Sequence, residues 1–208
     1  MSELRQKILD ASVELVAEKG VRGVSFREVA RRAGVSHQAP YHHFGNYQGI
    51  LEAIGREGFA GLAAAINEAS AAAGPDAMQA LTAGGVAYIR FARDHIGHFR
   101  VMFQRDLVEI HGSDESMPEA EEAFGTLVRM CGEAQAAGYG LSLSAEDMTL
   151  LTWSTVHGFA NLLIEGVLEE RKFTDAQADG LTLRLAGALS RVLACRRAAG
   201  ATFFRPSA

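Results

Sequence analysis

The 208-residue sequence predicts an all-α protein. Three observations carry that expectation. Apolar residues recur at helical spacing along the chain, no stretch alternates in the strand manner between hairpin turns, and Ser, Thr, Asn, Gly and Pro punctuate the helical runs. There is no internal repeat. With 48% apolar residues, the chain can bury a substantial core in one or two compact domains.

The first element runs over 4–19, LRQKILDASVELVAEK, with Leu4, Ile8, Ala11, Leu15 and Val16 on one face and small Ser12 among them. Gly20 ends it. Ser25 and Glu28 then form a capping box, each side chain satisfying an orphan amide at a helix start. Phe26, Val29, Ala30 and Ala33 give this second helix its apolar stripe, and Gly34 closes it in a left-handed conformation. Ser36 caps a third helix that carries Tyr41 and Phe44, with Val35 just ahead. Pro40 is tolerated near its start, where an amide has no helical partner. Two short helices joined by a three-residue turn containing Gly form a helix-turn-helix, which places its second helix in the DNA major groove.

Gly45-Asn46 breaks the chain again, and Asn46 caps a longer helix through Ile50, Leu51 and Ile54. The first 47 residues resemble the DNA-binding head of TetR-family regulators. The resemblance rests on Ile8, Ala11, Gly20, Ser25, Ala30, Ala33, Gly34, Val35, Ser36, Tyr41, His43 and Phe44. It departs at Tyr47, where the family usually carries a Lys beside the DNA backbone. Tyr47 brings one hydrogen bond and no charge.

Charge points the same way. Residues 1–59 carry a net charge of +1 and residues 60–208 carry −6. Within 19–47, Lys19, Arg22, Arg27, Arg31 and Arg32 stand against Glu28 alone. One locally basic face on an acidic chain suits a protein that must bind DNA without adhering everywhere. Gln38 is the candidate base reader, because a side-chain amide makes two bonds to adenine. His37 and His42, projecting from the same helix, are the next candidates for reading a base edge, and His37, Gln38 and Ala39 occupy its first turn, the part that meets bases. Arg27 reaches a phosphate or a guanine. Ser25, Ser36, Tyr41, His43 and Tyr47 are assigned to the DNA backbone, and Tyr41 doubles as a core aromatic with a surface hydroxyl.

Beyond residue 47 the expected helices are 47–72, 76–94, 96–110, 119–137, 145–169 and 175–198. Gly74-Pro75 breaks the first pair, and residues 111–118, HGSDESMP, form a polar loop. Gly138 closes another helix, Ser144 with Asp147 caps its successor, and Thr174 with Gln177 caps the last. The tail from Gly200 frays, with Phe203 and Phe204 free to pack. The domains expected are 1–47, DNA-binding, and 48–208, effector-binding and dimerising.

The last two helices are apolar on two sides. Leu150, Trp153, Val156, His157, Ala160, Leu163, Ile164, Val167 and Leu168 line one; Leu181, Leu183, Leu185, Ala188, Leu189, Val192 and Leu193 line the other. Gly158, Gly166, Gly180 and Gly187 permit close helix approach. Helices apolar on two sides need two partners. In TetR-like proteins the second is the same pair from another subunit, so the resemblance implies a homodimer on a palindromic operator. Trp153, His157 and Gly158 also resemble the signature of the WHG-type C-terminal subclass, stacking Trp153 and His157 on one helix face. This group shapes either a ligand cavity or the dimer seam, and a structural, hydrogen-bonded His157 is the competing assignment.

An effector pocket is expected among the central helices, from Tyr88, Phe91, His95, Phe99, Met102, Phe103, Phe124, Leu127, Trp153 and His157, with Leu107 and Met130 nearby. Aromatic and thioether lining suits an apolar or aromatic small molecule, although most of these side chains also serve as core. His95, His98 and His157 offer polar contacts inside the cavity; His95 and His98, at i and i+3, also have metal-ligand spacing, but the carboxylate partners of a di-iron bundle are missing. No metal, cofactor or catalytic motif is called for. Cys131 and Cys195 read as free thiols, and with no signal peptide or apolar span the expected compartment is the cytoplasm. The function expected is a ligand-responsive DNA-binding repressor, not an enzyme. Two alternatives stay open: a helical small-molecule-binding protein or enzyme with an incidental helix-turn-helix, and a regulator without an effector.

Overall fold

The computed structural model describes residues 2–103, 117–167 and 175–194. Within them the chain folds as α1 (Glu3–Lys19), a 3-10 turn (Val21–Gly23), α2 (Phe26–Ala33), α3 (Ala39–Phe44), α4 (Tyr47–Ala72), α5 (Ala77–Asp94), α6 (Ile96–Met102), α7 (Pro118–Ala136), α8 (Ala145–Ile164) and α9 (Asp175–Ala194). No strand occurs among the described residues. The polar loop expected before Met117, Leu107, Leu168, Thr174, Cys195, Phe203 and Phe204 lie outside the described residues.

Two compact units form: residues 1–65 with 90–124, and residues 66–89 with 125–208. The first does not end at residue 47. Ile50, Leu51 and Ile54 of α4 and Val101 of α6 are buried in one cluster with Ile8, Leu15, Val29 and Ala33, so the head's core is completed by later helices. α6 presses close on α1. A Cβ at Gly97 would stand 2.3 Å from the Val13 carbonyl oxygen, and Arg100 Nη1 donates to the Ala17 carbonyl at 2.8 Å. Only glycine permits that approach.

Local capping explains most helix ends. Ser2 accepts from Arg5 N, Ser25 from Glu28 N, Asn46 from Gly49 N, Asp76 from Gln79 N and Ser144 from Asp147 N. Gly34 ends α2 at φ 64, in the left-handed region as expected. Four expectations need correction. Leu4 is 42% exposed, in the first turn of α1. Glu28 does not return to Ser25, since Lys19 engages its carboxylate. Ser36 is not a helix cap: its carbonyl accepts from Ala39 N at 3.0 Å in a turn, and α3 starts after Gln38. α8 stops at Ile164 instead of 169, because Gly166 takes φ 70 and Glu165 N closes onto Asn161 O.

In the second unit, Met78, Leu81, Ile89, Met130, Cys131, Met148, Val156, Ala160, Ala186 and Leu193 are buried. Gly140 N donates to Leu193 O at 2.7 Å, satisfying a carbonyl at the end of α9. Outside that core, Leu150, Leu151, Leu162 and Val167 around α8 and Leu183 and Val192 on α9 remain exposed. Among the described residues, nothing lies within 4 Å of a Cβ placed on Gly158, and those on Gly180 and Gly187 would meet only guanidinium groups of their own helix.

Candidate nucleic-acid interface

α2, the following turn and α3 present the polar residues singled out in the sequence. Ser25, Arg27, Ser36, His37, Gln38, Tyr41 and His42 are exposed, while Ala39, His43 and Tyr47 are half-buried. His37 and Gln38 sit in the turn just ahead of α3, not in its first helical turn. Pro40 falls near the helix start, where its missing amide costs nothing, and it is buried. Tyr41 serves two ends. Its ring packs edge-on against Phe26, with centroids 4.7 Å apart, while the residue stays 46% exposed. Tyr47 is redirected. Its ring also meets Phe26, and its hydroxyl donates to the Val21 carbonyl, so the proton assigned to a DNA phosphate is used inside the head.

The basic face is narrower than the charge count suggested. Arg32 bonds Glu18 at 2.7 Å and Glu14 at 3.2 Å, and these carboxylates hold its already high pKa higher still. Lys19 lowers the Glu28 carboxyl, and Arg32 lowers that of Glu18. Two of the five cations therefore brace α2 against α1. Arg27 stays exposed, and Arg31 is 3.9 Å from Glu28 while remaining largely in solvent. Partners 14 and 18 positions away could not be read from local spacing.

The effector candidates divide between the two units. In the first, Phe99 and Met102 are buried, Phe103 lies 5.0 Å from the Phe99 ring and 5.6 Å from Phe59, and Phe91 stacks on His95 at 4.5 Å. Phe124 is 45% exposed. His98, expected as a polar contact beside His95, is half-buried, its two ring nitrogens are shielded from solvent without a hydrogen bond, and its Nε2 is 3.7 Å from Glu57. Burial lowers its pKa, and Glu57 opposes that shift. In the second unit, Tyr88 and His157 Nδ1 share a 2.7 Å hydrogen bond, and the Trp153 ring lies 5.9 Å from His157. Burial raises the Tyr88 phenol and lowers the His157 imidazole. Leu127 is half-buried in the same unit. A separate cleft between α5, α8 and α9, with Thr82 and Ser190 hydroxyls 2.6 Å apart, has room for about one water. None of the candidate side chains lines it.

Among the described residues no His, Cys, Asp and Glu group is placed to share a metal ion, and no helix is long and apolar enough to cross a membrane.

Comparison with known proteins fits this geometry. Residues 8–54 match the model of bacterial regulatory proteins of the tetR family, and residues 81–187, over half the chain, match that of the tetracyclin repressor-like C-terminal domain. A protein of unknown function from Rhodococcus sp. RHA1 is 30% identical, with a TM-score of 0.76 over 94% of this chain and 97% of that one. The transcriptional regulator FadR of Bacillus subtilis, solved in complex with stearoyl-CoA, shares the fold at 18% identity and a TM-score of 0.66, over 91% of this chain and 97% of that one. The transcriptional repressor AcnR of Corynebacterium glutamicum is 34% identical over 64 residues, 31% of this chain and 34% of that protein. The matches to three other curated relatives span between 24% and 39% of those proteins' lengths. The chain belongs to the tetR family of bacterial regulatory proteins.

Proposed function

We propose that the protein is a cytoplasmic, homodimeric, non-enzymatic repressor that leaves a palindromic operator when an apolar or aromatic small molecule binds. The observation that carries this reading is the α2–turn–α3 unit. Gly34 halts α2 in a left-handed conformation, Phe26 and Tyr41 lock the two helices edge to face, and His37, Gln38, Tyr41 and His42 are left on the surface. In the roles assigned, Gln38 reads a base with His37, His42 and Ala39 beside it, Arg27 reaches a phosphate or a guanine, and Ser25, Ser36, Tyr41 and His43 hold the backbone. Function then divides near residue 47, although the packing does not.

The uncovered apolar side chains of α8 and α9 support dimerisation through that pair. Two heads on one dimer would sit about one DNA turn apart, or a multiple of it. An effector of apolar character is supported by the aromatic and thioether side chains of the central helices, and by the stearoyl-CoA held by a protein of the same fold. Such a ligand acts by preferring the released state, and its differential affinity bounds its effect.

Selection from random duplexes at near-physiological salt, beside Tyr41→Ala, tests the reading. A palindrome recovered by the native chain and weakened in the variant is expected. Weak, salt-sensitive binding without any enriched motif would instead support a helical ligand-binding protein.

A further inference from the structure

No Lys or Arg lies between Arg32 and Arg56, so the turn, α3 and the start of α4 carry no permanent positive charge. Phosphate binding ordinarily draws on such charge. Of the fixed cations upstream, Arg32 on α2 and Lys19 at the end of α1 are committed to carboxylates, which leaves Arg27 and Arg31 of α2 facing solvent. Tyr47, where the family usually has a Lys, gives its hydroxyl proton to Val21. Yet three of the chain's seven histidines fall in this stretch: His37 and His42 exposed, His43 half-buried.

The surroundings of these rings are sparse in charge. α3 packs against α1 and α2. From α1, Arg5 lies over the Phe44 ring at 4.7 Å; from α2 come Arg27, Arg31 and Glu28, the last engaged by Lys19. On α3 itself, Tyr41 approaches His37, with ring centroids 5.9 Å apart. Among the described residues no carboxylate stands within 4 Å of any of the three imidazoles, and the histidine that does pair with a carboxylate is His98.

We propose that His37, His42 and His43 meet the DNA backbone as imidazolium, so that operator binding takes up protons. This rests on the DNA-binding reading above. Imidazole changes charge between pH 5 and 8, and a neighbouring phosphate favours the charged form. The sign follows. A ring whose pKa is higher on DNA than off it strengthens binding fully below its free pKa, and that gain is lost as pH rises through the bound pKa. Each imidazolium that neutralises a phosphate steepens the salt dependence by about 0.9 in log–log slope. The interface is thus a weak phosphate binder in alkaline solution and a stronger one in mildly acidic solution.

Fluorescence anisotropy on the duplex selected above, at pH 6.0, 7.0 and 8.0 over a salt series, tests this. Binding should tighten by about tenfold or more from pH 8.0 to 6.0, the equivalent of one pKa unit of linkage, with a steeper salt slope at the lower pH. The triple variant His37→Gln, His42→Gln, His43→Gln should lose both changes. His37→Gln alone, at an exposed turn position, should lose part of them and serves if the triple variant does not fold. Specific binding with the same affinity and salt slope at all three pH values would overturn the proposal. So would a pH dependence that survives the Gln substitutions. Failure to select any duplex at pH 6.0 or 8.0 would overturn the DNA-binding reading itself, and the proton linkage with it.

Discussion

The helix-turn-helix and the α8–α9 pair use similar apolar residues to opposite ends. In α2, Phe26, Val29, Ala30 and Ala33 are all buried, and Phe26, Val29 and Ala33 join one core cluster with residues of α1, α4 and α6. In α8 and α9, Leu150, Leu162, Leu183 and Val192 remain 45%, 43%, 55% and 64% exposed, although the same helices bury Val156, Ala160, Ala186 and Leu193 on their other side. The head closes its apolar surface within one chain, whereas among the described residues the α8–α9 pair leaves a second face uncovered. Apolar area of that kind is unfavourable in water unless something covers it. The contrast separates residues that close a fold from residues left for the proposed dimer seam.

The strongest way to break that comparison is to place charge on the uncovered face. Leu183→Glu with Val192→Glu should convert the proposed dimer to a folded monomer in sedimentation velocity and weaken operator binding by a hundredfold or so, because each head then binds its half-site alone. An unchanged sedimenting mass would move the seam elsewhere. In the closed region the effect is on folding instead. Phe26→Ala should cost about 3 kcal/mol or more in denaturant unfolding, since it removes a ring wedged against Tyr41 and Tyr47. A loss near zero would show that α2 is not packed as described.

A smaller effect sharpens the same point through pH. His98 of α6 is half-buried beside Glu57 of α4, and burial lowers its pKa against the pull of Glu57 and Asp10. A lowered folded pKa means stability that is present above the unfolded pKa, about 6.5, and lost as pH falls below it. Relative to the native chain, His98→Leu should therefore gain thermal stability as pH drops from 7 to 5. A constant difference in melting temperature across that range would show that His98 does not titrate with folding.

Much of this was legible in the chain. α4 was expected over 47–72 and occupies Tyr47–Ala72, because Asn46 caps it and Gly74-Pro75 bars its continuation. The α2 stripe and the Gly34 stop were readable for the same reason: they depend on neighbours within one or two turns. Ser36 misled because serine opens turns and caps helices through similar local bonds, and only the backbone path distinguishes them. Gly166 misled likewise, as a glycine that ends a helix and one that admits a neighbour look alike in sequence.

The candidate site shows the boundary most clearly. Which side chains stand on α3 was evident from spacing, but Arg32 faces Glu14 and Glu18 and Tyr47 faces Val21 across separations that no local pattern encodes. The effector candidates were chosen by residue type, and folding distributes them between two units. By itself, the sequence determined the helices, their caps and the helix-turn-helix, because periodicity and capping are short-range. Only the tertiary structure decided which cations reach solvent, which hydroxyls are already bonded and which apolar face stays uncovered, because those depend on partners the chain brings together from afar.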